Sequence, residues 1–217
     1  MTTIYRENVC CKNCGQISEQ SIIGSTNTFG SPDLDLRPPE MKRSTMNTWL
    51  QFCPHCGFCA PDLTESDGDL SIVESPEYRA ILSNQKFPEL SRRFLVRAIL
   101  LADIDSASAA HSRLCAAWAC DDAKLDELAI ECRLAVATDA EKSKPFEDSE
   151  AGLTQGAILV DVLRRAGQFE RAASECSSLL GYRSVGGILK QVLEFQQQLI
   201  STQDRAVHRV SEVQQRA

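Results

Sequence analysis

Two short motifs constrain this chain more than anything else in it: Cys11-Lys12-Asn13-Cys14-Gly15 and Cys53-Pro54-His55-Cys56-Gly57. A gap of two residues lets both thiolates of one turn face a single ion. The Gly that follows accepts a positive φ, which curls backbone amides toward sulfur. Two such knuckles supply the four ligands of a closed tetrahedral site, and soft thiolates favour zinc over magnesium or calcium. Cys11, Cys14, Cys53 and Cys56 are therefore the expected ligands of a structural zinc ion. A full set of four leaves no position for a reactive water, which argues against zinc hydrolysis. The segment Thr48-Trp49-Leu50-Gln51-Phe52 reads as a strand leading into the second knuckle, so the module reads as a zinc ribbon. Thirty-eight residues separate Cys14 from Cys53, against the ~15–20 of a compact ribbon, so a long insert or extra strands must lie between. Ile17, Ile22 and Ile23 permit a strand after the first knuckle.

The competing use of CxxC is redox chemistry, which wants one pair at a helix start after a strand and no second pair. Cys10, beside Cys11, and Cys59, three residues after Cys56, are spare thiols. They read as neighbours of the site or as buried side chains, and either could substitute for a ligand. His55, in the middle of a knuckle, reads as exposed.

The remaining cysteines, Cys115, Cys120, Cys132 and Cys176, fall among apolar neighbours and read as small hydrophobes. Ten cysteines in 217 residues, with no apolar stretch after Met1 to mark a signal peptide, suit a reducing, cytoplasmic setting. No run approaches the ~18 apolar residues of a membrane span. The formal net charge of −7 speaks against a broad nucleic-acid surface. That charge is uneven: residues 1–60 carry five basic and five acidic side chains, and the rest carry 18 and 25.

Composition changes along the chain. Residues 1–61 are rich in Cys, Gly and Pro, residues 62–75 form an acidic, turn-prone bridge, and residues 76–217 show helical periodicity. The expected fold class is α+β, mainly α: a small ribbon followed by antiparallel helical hairpins. Apolar stripes run through Leu90–Ala102, Ala107–Trp118, Leu125–Ala135, Ile158–Ala166, Phe169–Leu180 and Val185–Leu199, with a loop at Lys142-Ser143-Lys144-Pro145. Leu163-Arg164-Arg165-Ala166-Gly167-Gln168-Phe169-Glu170-Arg171-Ala172 matches the turn of a tetratricopeptide unit, where Gly closes one helix, an aromatic opens the next and a small residue packs between them. Ala98–Trp118 reads as a degenerate copy with its turn at Ala102-Asp103-Ile104-Asp105. His111 reads as a core histidine and Trp118 as a core anchor. Arg92-Arg93 and Arg164-Arg165 read as solvated pairs, and His208 lies in a polar tail that either extends the last helix or frays. GxxxxGK[ST], GxGxxG, HExxH and GxSxG are all absent.

The order of these pieces, from the first knuckle through Cys53-Pro54-His55-Cys56-Gly57-Phe58 to Ala116-Ala117-Trp118 and Leu163–Ala172, resembles the bacterial domain of unknown function 2225. The resemblance spans roughly Val9 to Leu199. It implies an N-terminal paired-CxxC segment, with Cys11, Cys14, Cys53 and Cys56 on the paired cysteines, and tetratricopeptide-like C-terminal helices. It implies no activity. The chain departs from the family in the insert, where Met46-Asn47-Thr48-Trp49 replaces an aromatic, Asn-Pro-rich run.

The functional expectation is a non-enzymatic zinc-binding adaptor, with helices that bind a protein or peptide and a ribbon that chelation unfolds while helix content survives. The alternatives are a nucleic-acid-binding ribbon, using Lys12, Arg37, Lys42 and Arg43, and a thiol-based redox sensor.

Overall fold

The computed structural model describes residues 1–66, 68–142 and 146–214. The chain forms two compact units: Met1–Phe29 with Glu40–Ala129, and Gly30–Pro39 with Ile130–Ala217. This grouping by contact follows a different division from the change of composition at residues 62–75. The first helices group with the cysteines, and ten residues of the inter-knuckle insert group with the later helices.

Unit 1 opens with β1 (Thr3–Cys10) and β2 (Ile17–Ser25), an antiparallel hairpin with Cys10 opposite Ile17 and Ile4 opposite Ile23. The first knuckle is the turn of this hairpin. Sequence periodicity marks β2 alone, because β1 is exposed at every position but Val9 and carries no inward-facing stripe. The expected strand at Thr48–Phe52 is shorter than its residue types suggest. Arg43–Thr48 is a 3₁₀ helix, and Thr48 donates its hydroxyl to the Thr45 carbonyl (2.7 Å) while Trp49 Nε1 donates to Thr45 Oγ1 (3.0 Å). Only β3 (Gln51–Phe52) is extended, paired with β4 (Cys59–Ala60) around the second knuckle.

Helices α1 (Pro76–Ser83), α2 (Glu89–Leu101) and α3 (Ser106–Asp122) complete the unit, and α4 (Asp126–Lys142) begins in it. Their starts are written locally. Ser75 caps α1 ahead of Pro76, and Asp105 caps α3 by accepting the Ser108 N–H at 3.0 Å. The turn between α2 and α3 falls on Ala102–Asp105, as the periodicity predicts. α2 packs closely on α3, and the small Ser91, fully buried, donates to the Ala116 carbonyl (3.1 Å).

Unit 2 contains the rest of α4, then α5 (Glu150–Arg165), α6 (Phe169–Leu180), α7 (Gly187–Ser201) and α8 (Ser211–Gln214). Of the loop expected at Lys142–Pro145, residues 143–145 lie outside the described residues, as does Asp67 of the acidic bridge. Gly167 ends α5 at φ +75° and lets Gln168 N–H reach the Leu163 carbonyl (2.9 Å), the closure the motif predicts. Leu153, Leu163, Ala172, Cys176, Leu179 and Leu193 form the core among α5, α6 and α7.

Through Gln214 the tail leaves the line of α7 and folds back. Gln203 takes a left-handed φ of 54°, Asp204 N–H bonds back to Leu199 O (2.9 Å), and the chain reverses. It then meets residues 31–37 of the insert: Leu34 N–H donates to His208 O and Val210 N–H to Pro32 O, both at 2.9 Å. Leu34 and Val213 close over Val192, Phe195 and Leu199 of α7.

Arg164 and Arg165 are not a solvated pair. The Arg164 side chain is 0% exposed and the Asp161 side chain 2%, with 2.7 Å between Nη2 and Oδ1. Arg164 also donates to the carbonyls of Asp204 (2.6 Å) and Ala206 (3.0 Å), which pins the returning tail. Arg165 meets the buried Asp35 of the insert at 3.0 Å. Burial pushes the Asp161 carboxyl up, and the Arg164 charge pulls against that shift. His208 is half-buried, with Nδ1 2.8 Å from Glu212, Nε2 3.0 Å from Asp204 and its ring edge-on to Phe195.

Removing one partner of a buried pair strands the other charge. Arg164→Ala should cost about 3–5 kcal/mol in urea unfolding. Lys190→Ala, which breaks an exposed pair with Glu194, should leave the midpoint unchanged.

Candidate metal centre

The two knuckles share one backbone plan, offset by a constant number of residues. Cys11 N–H donates to Gln16 O (2.9 Å) and Gly15 N–H to Cys11 O (2.8 Å). Correspondingly, Cys53 N–H donates to Phe58 O and Gly57 N–H to Cys53 O, both at 2.9 Å. Gly15 and Gly57 sit at φ +72° and +78°, the left-handed conformation the motif requires.

The turns bring the four predicted thiols together. Cys11 Sγ lies 3.7 Å from Cys56 Sγ, Cys14 Sγ lies 3.6 Å from Cys53 Sγ, and all four lie within 4.8 Å of one another. A regular tetrahedron with Zn–S bonds of ~2.3 Å has edges of about 3.8 Å, so the spacing fits a zinc-sized ion. Four sulfurs without carboxylate or imidazole make a soft donor set. Among the described residues no other group of three or more His, Cys, Asp or Glu side chains converges in this way.

Cys11 and Cys53 are buried, and Cys14 and Cys56 half-buried. Burial pushes the Cys11 thiol up to about 12 and raises Cys56, whereas the Gln16 backbone N–H lowers Cys14. A metal must displace these protons, so its affinity falls as pH falls.

Several residues that hold this arrangement are invisible to motif reading. The Gln20 side-chain amide of β2 clips β3, donating to Phe52 O (3.0 Å) and accepting Phe52 N–H (3.1 Å). Leu63 accepts Lys12 N–H (2.7 Å) and donates its own N–H to Gln51 Oε1 (2.9 Å), joining the first knuckle to the second hairpin. Tyr78 of α1, fully buried, donates to Gly57 O at 2.8 Å. The only sequence signal for Tyr78 is that a scarce aromatic follows the Ser75-Pro76 helix start. An amide in a strand carries no signal at all.

Neither spare thiol joins the four. Cys10 is exposed, with Sγ 3.5 Å from Gly15 O. Cys59 is fully buried, and burial pushes its thiol up to about 12. His55 is exposed, and Cys115, Cys120, Cys132 and Cys176 are buried, as their neighbours predict. His111 is a correction: it is exposed, with its ring edge-on to the buried Trp118 at 5.8 Å and Nε2 3.5 Å from Cys115 Sγ. An apolar stripe at i, i+4 spacing places a residue beside the core but does not decide whether it lies inside. Arg92 and Arg93 are half-buried, and Arg93 lies 4.8 Å over the Phe52 ring. Beside it, a cleft of about 540 Å³ opens between β2, β3 and α2, where Glu19, Gln20 and Glu89 line it together with Leu50, Phe52 and Leu90.

No family model, no curated protein and no solved structure matches the chain. What is established rests on geometry: a mainly helical α+β chain with four cysteines clustered at metal-binding distance and no described helix long and apolar enough to cross a membrane.

Purified protein should carry about one zinc per chain, read by a colorimetric chelator assay under reducing conditions. Cys53→Ser should abolish tight binding, and release should rise as pH is lowered. A Cβ at Gly57 would lie 2.6 Å from Leu82 Cδ2, whereas one at Gly15 meets nothing within 4 Å. Both substitutions strain φ, so Gly57→Ala should weaken zinc retention and thermal stability more than Gly15→Ala.

Proposed function

We propose that this chain is a non-enzymatic adaptor in which zinc fixes the two hairpins and the helices bind a protein or peptide. The observation that carries the reading is the closed set of four thiols, which leaves a bound ion no open position for substrate or water. An ion held in this way folds a scaffold. The tetratricopeptide-like reading of the hairpins α2–α3 and α5–α6, each closed by a short turn, belongs to the same proposal. The cleft beside Arg93, where Glu19, Gln20, Asn47 and Glu89 surround Leu50, Phe52 and Leu90, offers a mixed, mainly polar seat for a partner segment. The cytoplasmic setting belongs to the same proposal, since free thiols of this number persist where reductant is plentiful.

The test is affinity capture with wild type, a Cys53→Ser, Cys56→Ser double variant and Leu90→Glu, followed by binding measurements with each purified candidate. The adaptor reading expects a protein partner that Leu90→Glu or the double variant loses. Capture of RNA or DNA with steep salt dependence would replace it with the nucleic-acid reading. Turnover of a substrate would end it.

A further inference from the structure

We propose that zinc at the four-cysteine site stabilises unit 2, although every ligand belongs to unit 1, and that residues 30–39 transmit the effect. The inference rests on the structural-zinc reading. Cys14 and Cys53 bracket the insert, so with the ion bound residues 15–52 form a loop closed at both ends by metal. Inside that loop, residues 30–39 are an integral part of unit 2.

The segment is held there by a dense set of contacts. Asp33, Leu34, Asp35 and Arg37 are all buried. Leu34 packs on Val192, Phe195 and Leu199, and Asp35 meets Arg165 at 3.0 Å. Three backbone amides are committed between the insert and the tail: Leu34 N–H to His208 O, Val210 N–H to Pro32 O and Ser211 N–H to Ser31 Oγ, each at 2.9 Å. The segment is continuous in sequence with unit 1 on both sides, at Phe29 and at Glu40.

Without the ion, the knuckles on both sides of this segment keep only protein contacts, among them the Gln20–Phe52, Leu63–Lys12 and Tyr78–Gly57 hydrogen bonds. β3 and β4 have two residues each, and two-stranded hairpins are marginal alone. The tether then lengthens, and the effective concentration of the segment at its slot falls. The apolar face of α7 and the returning tail lose their cover in proportion. Linkage makes the effect reciprocal: weakening the insert must lower zinc affinity by the factor with which zinc protects the insert.

The experiment is amide hydrogen exchange on the full chain, zinc-loaded and zinc-stripped under reducing conditions, with zinc content measured in both. Coupling predicts that peptides covering Leu34 and Val210–Val213 exchange at least about fivefold faster once zinc is gone. Unchanged exchange there, while the peptides holding Gly15 and Gly57 open, overturns the coupling and leaves the zinc reading intact. A protein that neither carries nor takes up zinc overturns both. In the reverse direction, Leu34→Ala should lower zinc affinity in chelator competition by a similar factor, and Val207→Ala, at an exposed tail position, should not. A Leu34→Ala protein with an opened Val210 amide and full zinc affinity also overturns the proposal.

Discussion

The convergence of four sulfurs is the constraint on which the two knuckles of unit 1 depend for their mutual placement. β1 is exposed along nearly its whole length, β3 and β4 are two residues each, and the inward positions of β2 are the polar Ser18 and Gln20. The β1–β2 hairpin buries too little apolar surface to offset the entropy of ordering it, whereas the second hairpin buries Phe58, Cys59 and Ala60. Four thiols at tetrahedral spacing supply the missing free energy when they share an ion, and the backbone plan of each knuckle presents them at no further conformational cost. The Gln20 clip, the Leu63 bridge and the Tyr78 hydroxyl then fix how the two turns face each other.

A different interaction organises unit 2. Arg164 and Arg165 end α5 with charges that the fold buries rather than solvates. Arg164 satisfies Asp161 on its own helix and two carbonyls of the returning tail, and Arg165 receives Asp35 from far away in the chain. A guanidinium spreads five donors over a fixed planar fork and so serves several acceptors in set directions, a geometry that the point charge of a lysine does not impose. The pair therefore specifies where two irregular segments lie, and these segments cover the apolar face of α7.

Legibility followed the range of the physics. The knuckles, the helix starts at Ser75 and Asp105 and the Gly167 turn are local, and each could be read from a few neighbouring residues. The strand expected at Thr48–Phe52 was mostly lost because hydroxyl-to-backbone bonds at Thr45 and Thr48 favoured a 3₁₀ turn over extension. β1 was missed because a strand with both faces in solvent has no hydrophobic period. His111 was expected inside from its place on an apolar stripe and Arg164-Arg165 outside from their charge, and in both cases the neighbouring segments decided burial.

The sequence by itself determined which four cysteines cluster, the mainly helical α+β class and the positions of most helices, because spacing, capping and periodicity act within a few residues. Tertiary structure alone decided the fate of the insert. Nothing in Ser31–Arg37 announces that Leu34 will complete the core over α7 or that Asp35 will answer a buried arginine. Burial and charge pairing at that distance depend on which surfaces meet, and no local pattern encodes that meeting.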